Sequence, residues 1–385
     1  METLRVAFVG RVLGEDYWGG ERSIALQVFR LLRDNGLEPI ALYSYSRRLP
    51  GIRRWLTFFT MDVDPVAVWH YLRILSDTKP DVVLGWYDQD TSLVYACQSL
   101  GVPLVLAAHV YWLQCPIRSL VFAGTTRFCS GPQLYCGTDV WRSRGEFAVR
   151  VLGPTFGKAI LSSHRRRLHR VNKYVKSIIA CSNFVKSILV RDGFKNVRAI
   201  PNGINPSDYH CLPPEDPPIV LFTGEPSLLK GFPHFLQMTD IVRKQFSECR
   251  FVFTGGKRAA IGNAHGLGLL AIPQLRDQYA RSSIVVVPSL WQEPFGLVLL
   301  EAMASGKPVV AYRSGAVSEI VADGETGFVV ERGNVEQLGQ RVLDLLKNPG
   351  LARKMGEAGR QRAVREFDIR ETAARYADEI REAAF

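Results

Sequence analysis

Ser289-Leu-Trp-Gln-Glu293-Pro-Phe-Gly296-Leu-Val-Leu-Leu-Glu301-Ala-Met-Ala-Ser-Gly306-Lys-Pro-Val-Val-Ala-Tyr-Arg-Ser-Gly315 is the stretch around which the chain is read. Two carboxylates, Glu293 and Glu301, stand eight positions apart in it, and Pro294 follows the first. Proline is tolerated in a helix's first turn, where its missing N–H is not needed, so the spacing predicts a helix from Pro294 or Phe295. Glu293 then lies on the loop before the helix and Glu301 between one and two turns inside it. Gly296 has no side chain, which leaves the N–H groups of Gly296 and Leu297 open to an approaching group. Unpaired N–H groups at the positive end of a helix dipole make a phosphate seat. A phosphate there, with one carboxylate beside it and another further along to meet hydroxyl groups, points to a sugar nucleotide. The plainer reading is structural: an acidic group near a helix start stabilises the dipole, and Leu297 to Met303 is what any buried helix looks like.

Outward from this stretch, strand and helix patterns alternate. Leu4 to Gly10 is a continuous apolar run ending in glycine, as a strand buried on both faces of a parallel sheet should be. A loop through Gly19 and Gly20 leads into helical spacing over Glu21–Arg33. Strand-like segments follow at Glu38–Tyr43, Asp81–Gly85 and Pro103–Ala107, with helical stretches at Asp64–Leu75 and Thr91–Leu100 between them. Such alternation argues for a doubly wound α/β sheet, whose ligands sit beyond the carboxyl ends of the strands. His109 stands just past such an end. Residues 111–142, carrying Tyr111, Trp112 and Trp141, read as a long irregular insert facing an acceptor or covering the surface. Thr155 to Lys176 reads as a basic amphipathic helix, with Lys158, Arg165, Arg166, Arg170, Lys173 and Lys176 along one side and Arg167 off the stripe. Arg53 to Phe59 is either an insertion tip for a membrane surface or a buried loop. Pro206 to Pro218 reads as a linker, which places a domain boundary near Ser207. Ile219 to Gly224 opens the second domain, Lys230-Gly231 precedes a helix, and Asp368 to Ala384 is a final helix. The expected division is 1–207, joined by 368–385, and 208–367.

With 385 residues, 47% apolar and 22% charged, the chain can bury two cores. No apolar run approaches the roughly 20 residues a membrane span needs, and residues 1–10 read as a strand and not as a signal peptide. The expected location is therefore cytoplasmic, either free or peripheral on the inner face of the plasma membrane. The formal charge of +11 is uneven: residues 1–210 hold 27 Lys and Arg against 16 Asp and Glu, and the remainder hold 21 of each. The excess in the first half implies an anionic partner, a membrane surface or a phosphate-bearing acceptor. No zinc-finger or RNA-binding signature supports nucleic acid. Seven scattered cysteines (Cys97, Cys115, Cys129, Cys136, Cys181, Cys211, Cys249) are no disulfide framework. Cys115, Cys129 and Cys136 cluster with His109 in a loop, but their spacings match no standard zinc module, so buried or free thiols are the expectation.

The run Glu293-Pro-Phe-Gly-Leu…Glu301-Ala-Met-Ala-Ser-Gly-Lys-Pro-Val-Val-Ala, continued by Gly315 and Asp323-Gly-Glu-Thr-Gly-Phe-Val-Val330, resembles the two-glutamate signature of glycosyltransferase family 4. The resemblance implies retaining enzymes of the GT-B fold, two Rossmann-like domains with parallel sheets facing across a cleft. It implies a nucleotide-diphosphate sugar as donor, of UDP or GDP type, an acceptor glycan, here lipid-linked or at a membrane surface, and no bound metal or other cofactor. Gly19 and Gly20 would lie over the donor phosphates, His109 would meet the donor sugar or the acceptor, and Lys230 would hold the diphosphate. Phe295, Gly296 and Leu297 would line the donor seat, Glu301 would hold the ribose, and Glu293 would hold the sugar ring near the reacting carbon. Two departures stand out. The family often has His-Asp where this chain has His109-Val110, and Glu225 occupies the place of an arginine that normally joins Lys230 on the diphosphate. Lys257 or Arg258, after Gly255-Gly256, are candidates to supply that charge. A nucleotide-sugar epimerase of the same fold, a non-catalytic sugar-nucleotide binder and a glucan or sucrose-type synthase are the alternatives.

Overall fold

A computed structural model describes residues 3–10, 20–44, 63–86, 91–113 and 161–385. Gly19, the Arg53 to Phe59 segment, Cys115, Cys129, Cys136 and most of the aromatic insert lie outside the described residues. The chain divides into two compact units, Met1–Pro201 with Ile369–Phe385, and Asn202–Asp368.

The first unit is built on a parallel six-stranded sheet of order β2-β1-β3-β4-β5-β6. Its strands are β1 (Arg5–Gly10), β2 (Glu38–Leu42), β3 (Val82–Trp86), β4 (Leu104–Ala108), β5 (Val175–Ala180) and β6 (Val197–Ala199). β3 and β4 are buried along their whole length, which is why they read as unbroken apolar runs. Between the strands run α1 (Gly20–Asp34), α2 (Pro65–Thr78), α3 (Ser92–Leu100), a helix over 161–174 (α4) and α5 (Asn183–Arg191). Asp64 starts α2 by accepting from the N–H groups of Val66 and Ala67, with Pro65 at the first helical position. The basic helix predicted to Lys176 ends two residues sooner, because Val175 already belongs to β5. The last helix of the chain, Ile369–Ala384, returns to this unit and packs on α1.

The second unit carries a seven-stranded sheet of order β13-β12-β11-β7-β8-β10-β9. The strands are β7 (Ile219–Phe222), β8 (Arg250–Phe253), β9 (Gly255–Ile261), β10 (Ala264–Gly268), β11 (Ile284–Val287), β12 (Val309–Tyr312) and β13 (Gly327–Val330). The helices are α6 (Phe232–Arg243), α7 (Ile272–Arg281), α8 (Leu297–Ala304), α9 (Val317–Ile320), α10 (Val335–Lys347) and α11 (Pro349–Glu366), and the returning Ile369–Ala384 is α12. All pairings are parallel except β10 with β9. That antiparallel hairpin was not expected from the sequence.

The division between units falls after Pro201 and not after Ser207, and the stretch expected as a linker is fastened to the second unit. Ile204 and Tyr209 are buried, the Ile204 N–H donates to Phe367 O at 2.9 Å, and Lys307 Nζ donates to Leu212 O at 2.7 Å. These contacts fasten the chain just before the segment and at its middle, so the boundary comes earlier in the chain than its Pro-rich composition implies.

The core of the second unit gathers Phe222, Phe232, Phe235 and Phe253 between α6 and the sheet. Phe235 is fully buried, with its ring 5.3 Å from that of Phe222. Phe235→Ala is expected to lower stability by about 3–5 kcal/mol, since truncation leaves a cavity the neighbours only partly fill. Denaturant unfolding of this variant beside Val364→Ala, which truncates an exposed side chain on α11 and should change little, checks that loss.

Candidate functional site

In the second sheet, the connection from β7 to β8 steps one way and those from β10 to β11, β12 and β13 step the other. Neighbouring β7 and β11 are therefore the switch point of the sheet, and the loops beyond their carboxyl ends flank a crevice. Lys230 comes from the first loop and Glu293 from the second.

Backbone contacts hold the two loops together. The N–H groups of Leu290 and Trp291 both donate to Leu229 O, at 2.9 and 3.2 Å. Gly231 has φ +73°, and a Cβ there would lie 1.7 Å from Pro288 O, so only glycine lets the Lys230 loop rest on the end of β11. Gly315, after β12, has φ +56° and would bring a Cβ to 2.1 Å from Glu293 O. The Ala316 N–H donates to that same oxygen at 2.9 Å. Three successive loops thus fix the backbone of Glu293.

The Glu293 side chain is buried, and Lys230 Nζ donates to its Oε1 at 2.8 Å. Ser289 Oγ donates to the same oxygen. The Lys230 ammonium also lies 4.7 Å from the centre of the Trp291 ring. Burial alone would raise the Glu293 pKa. The charge of Lys230 and hydrogen bonds from Lys230, Ser289 and Trp291 outweigh it and hold the carboxyl below its ordinary 4.5. Glu293 is therefore ionised at neutral pH. Lys230 has three N–H donors and a half-exposed side chain, so the cation can meet an anion while keeping Glu293.

The helix carrying Glu301 starts at Leu297, not at Pro294 or Phe295. Gly296 has φ +103°, a left-handed conformation that interrupts the right-handed helical run. Pro294 and Phe295 lie in the bend before it, with Phe295 buried and its ring 6.1 Å from that of Phe367. Phe295 thus packs inward. The Leu299 N–H already donates to Gly296 O at 3.0 Å, so Leu297 and Val298 are the residues at the start of α8 whose N–H groups have no acceptor within the helix.

Glu301 accepts from two tyrosines, Tyr279 Oη to Oε2 at 2.8 Å and Tyr209 Oη to Oε1 at 3.4 Å. Because Tyr279 donates its only proton to Glu301, the Thr223 hydroxyl 2.8 Å away donates to Tyr279. Arg276, one turn before Tyr279 on α7, pairs with Asp208 at 2.6 Å and lies 5.2 Å from the Tyr209 ring. Burial pushes the Glu301 pKa up, and the tyrosine hydrogen bonds and Arg276 pull it down without cancelling the rise. Tyr209, Tyr279, Thr223 and Arg276 were missed in the sequence.

Glu225 is exposed after β7. The first residues of β9 run beside it: a Cβ on Gly255 would lie 2.3 Å from Gly224 O and 3.2 Å from Glu225 Cα. Lys257 and Arg258, both exposed, follow Gly255 by two and three residues on this strand.

The other predicted residues belong to the first unit. Gly20 opens α1. His109 is buried past β4, stacked 4.2 Å from Trp86, with Nε2 3.1 Å from Tyr376 Oη. Burial lowers its pKa to about 3, so the imidazole is neutral. Its Nδ1 has no partner among the described residues. Two Asp-x-Asp sequences, Asp62-Val-Asp64 and Asp88-Gln-Asp90, are present; Asp64 caps α2, and the other three aspartates lie outside the described residues. No group of three or more His, Cys, Asp or Glu set to hold a metal ion occurs among the described residues.

Two family models match, "Glycosyltransferase Family 4" over residues 21–208 and "Glycosyl transferases group 1" over 211–362. The chain belongs to glycosyltransferase family 4, and its fold is GT-B. Alpha-maltose-1-phosphate synthase of Mycobacterium tuberculosis is 41% identical over 104 residues, 26% of this chain and 27% of that protein. The chain thus spans about a quarter of that relative's length. Sucrose-phosphate synthase from Thermosynechococcus elongatus superposes with a TM-score of 0.71 at 19% identity, covering 98% of both chains. Anabaena Alr3699/HepE, in complex with UDP-glucose, superposes with a TM-score of 0.67 at 16% identity, covering 98% of this chain and 99% of that one.

Because the folded Glu293 pKa is depressed, its ion pair contributes stability above the ordinary carboxylate range and loses it as pH falls through the depressed value. Lys230→Met leaves a buried carboxylate without its counter-charge. The variant should be less stable at pH 7 by about 1–3 kcal/mol, below the range for a fully buried pair because part of Lys230 is exposed. The deficit should shrink toward pH 4 as Glu293 takes up a proton, which denaturant unfolding at the two pH values measures.

Proposed function

We propose that this chain transfers a sugar from a UDP- or GDP-type nucleotide diphosphate to an acceptor hydroxyl, with retention of anomeric configuration. The observation that carries the reading is the Lys230–Glu293 pair at the switch point of the second sheet, with Glu301 on the helix that follows Glu293. A diphosphate seated at the start of α8 would meet Lys230 and the first helix N–H groups. As the glycosidic bond breaks, charge grows on the leaving phosphate, and these donors stabilise it electrostatically. In this reading no metal is required. Glu301 accepts from the ribose hydroxyls. Glu293 accepts from the sugar hydroxyls and faces the positive charge developing on the ring. Acceptor attack on the face the leaving group vacates, assisted by the departing phosphate oxygen, retains the configuration without a covalent enzyme intermediate. His109, neutral over the physiological range, contributes a hydrogen bond and not a charge. The complex of Alr3699/HepE with UDP-glucose supports a UDP-sugar donor. The acceptor is a lipid-linked or other membrane-surface glycan, a choice favoured by the basic first half of the chain.

Glu225 favours one second reading, a protein that binds sugar nucleotides without turning them over. Calorimetric binding of a donor with no transfer to any acceptor would establish it.

A nucleotide-sugar panel read by thermal unfolding tests the donor class, since a ligand at 100 times its Kd adds about 2.7 kcal/mol. Lys230→Ala is expected to lower kcat at least tenfold, and transfer at the wild-type rate would overturn the clamp. Glu301→Ala should raise donor KM. Burial raises the Glu301 pKa, so donor affinity should fall at a higher pH than an ordinary glutamate would dictate, and Glu301→Gln should flatten that acid limb.

A further inference from the structure

Among the described residues, the helices of the first unit carry their excess of positive charge and their exposed large apolar side chains on one face. In the order β2-β1-β3-β4-β5-β6, the connection from β1 to β2 steps one way, and those to β3, β4, β5 and β6 step the other. Crossovers between parallel strands are right-handed, so α1 covers one face of the sheet and α2, α3, α4 and α5 cover the opposite one. Contacts agree: α2 packs on α3, Arg170 of α4 donates to Thr91 at the start of α3, and Asn172 donates to Gly193 O just after α5. α12 packs on α1.

The α2–α5 layer carries eight Lys and Arg against one acid, Asp77, whereas α1 and α12 together carry six basic and six acidic residues. The same layer holds Val66, Trp69, Tyr95, Leu100 and Val190 as exposed large apolar side chains; α1 and α12 carry none among the described residues. Trp69 is 61% exposed, with the Arg73 guanidinium 5.8 Å from its ring. On α4, Arg165, Arg166 and Lys173 are exposed.

We infer that the α2–α5 face docks on an anionic lipid bilayer, with the cations against headgroups and Trp69 and Tyr95 at the interface. A protein partner fits less well, because interface cores are depleted of charge, and here cations outnumber the apolar side chains. A headgroup layer accepts both components: aromatic side chains settle at its depth, and each cation near an anionic surface strengthens binding about fivefold. No helix among the described residues is long and apolar enough to cross a membrane, so attachment through this face is peripheral. The inference narrows the acceptor reading above to a face, but its test uses no sugar.

Full-length protein is centrifuged with vesicles of phosphatidylcholine, alone or mixed with phosphatidylglycerol. Sedimentation with the anionic vesicles only, weakened by salt, is expected. The triple variant Arg165→Glu, Arg166→Glu, Lys173→Glu should bind at least tenfold more weakly. Arg30→Glu with Arg33→Glu, exposed on α1, should bind within about twofold of wild type. Trp69→Ala should weaken binding at low and at high salt alike. Circular dichroism and thermal unfolding confirm that each variant is folded, and the triple Gln variant, with an intermediate loss, replaces the Glu variant if that one fails to fold. Equal binding to both vesicle types, an undiminished triple variant or an equal loss from α1 overturns the inference. Binding to a DNA duplex with none to vesicles would assign the face to nucleic acid. Either failure leaves the donor chemistry of the second unit untouched.

Discussion

A buried carboxylate needs a counter-charge, and at Glu293 that need organises the second unit. Moving an ion out of water costs several kcal/mol, which an ion pair recovers only with good geometry and further hydrogen bonds. Lys230 and Ser289 supply both, and they come from the loop after β7 and from the loop that carries Glu293 itself. The loop after β12 closes the arrangement from the backbone side, where Gly315 leaves room for the Glu293 carbonyl. A pair of this kind adds little net stability over apolar packing. Its effect is to tie the Lys230 loop to the Glu293 loop, while the backbone contacts of Gly315 and Ala316 with Glu293 O bring in the loop after β12.

The features of this design that are local in sequence are legible there. Parallel strands buried on both faces read as unbroken apolar runs, and Gly or Pro marks their ends, so the alternation of both units follows from Leu4–Gly10 and Ile219–Gly224 and their counterparts. The β9/β10 hairpin did not read as strand because Lys257-Arg258-Ala-Ala is polar and small. Its one signal was Gly262-Asn263, a two-residue turn between the paired Ile261 and Ala264. The helix start was misplaced because Pro294 fits a first turn, yet the left-handed Gly296 follows it and resets the chain. The tyrosines on Glu301 lie 22 and 92 residues away, beyond any periodicity. Only the fold brings them together.

Glu225 shows how a departure from a family pattern can be accommodated. At the usual arginine position an acid would oppose a diphosphate, but its side chain is exposed and the crevice cation is Lys230, seated on Trp291. The close approach of Gly255 to Gly224 brings an edge strand with two cations to the same loop. Gly255 and Gly256, both at positive φ, make that approach sterically feasible.

Three buried ionisable groups resolve their burial in three ways. His109 has no charged partner among the described residues, and desolvation leaves it neutral. Glu293 has Lys230 and stays ionised. Glu301 has neutral hydroxyl donors and a more distant arginine, so its pKa rises while its hydrogen-bonding oxygens stay oriented. A carboxylate held by exchangeable hydroxyl contacts suits the recognition of other hydroxyls, and under the proposed function a ribose would replace a tyrosine without changing the charge of the site. A carboxylate held by an ammonium suits a position beside a charge that changes during reaction. In the second unit, the ammonium of Lys230 and the backbone N–H groups at the start of α8 are the groups that the proposed function sets against a phosphate.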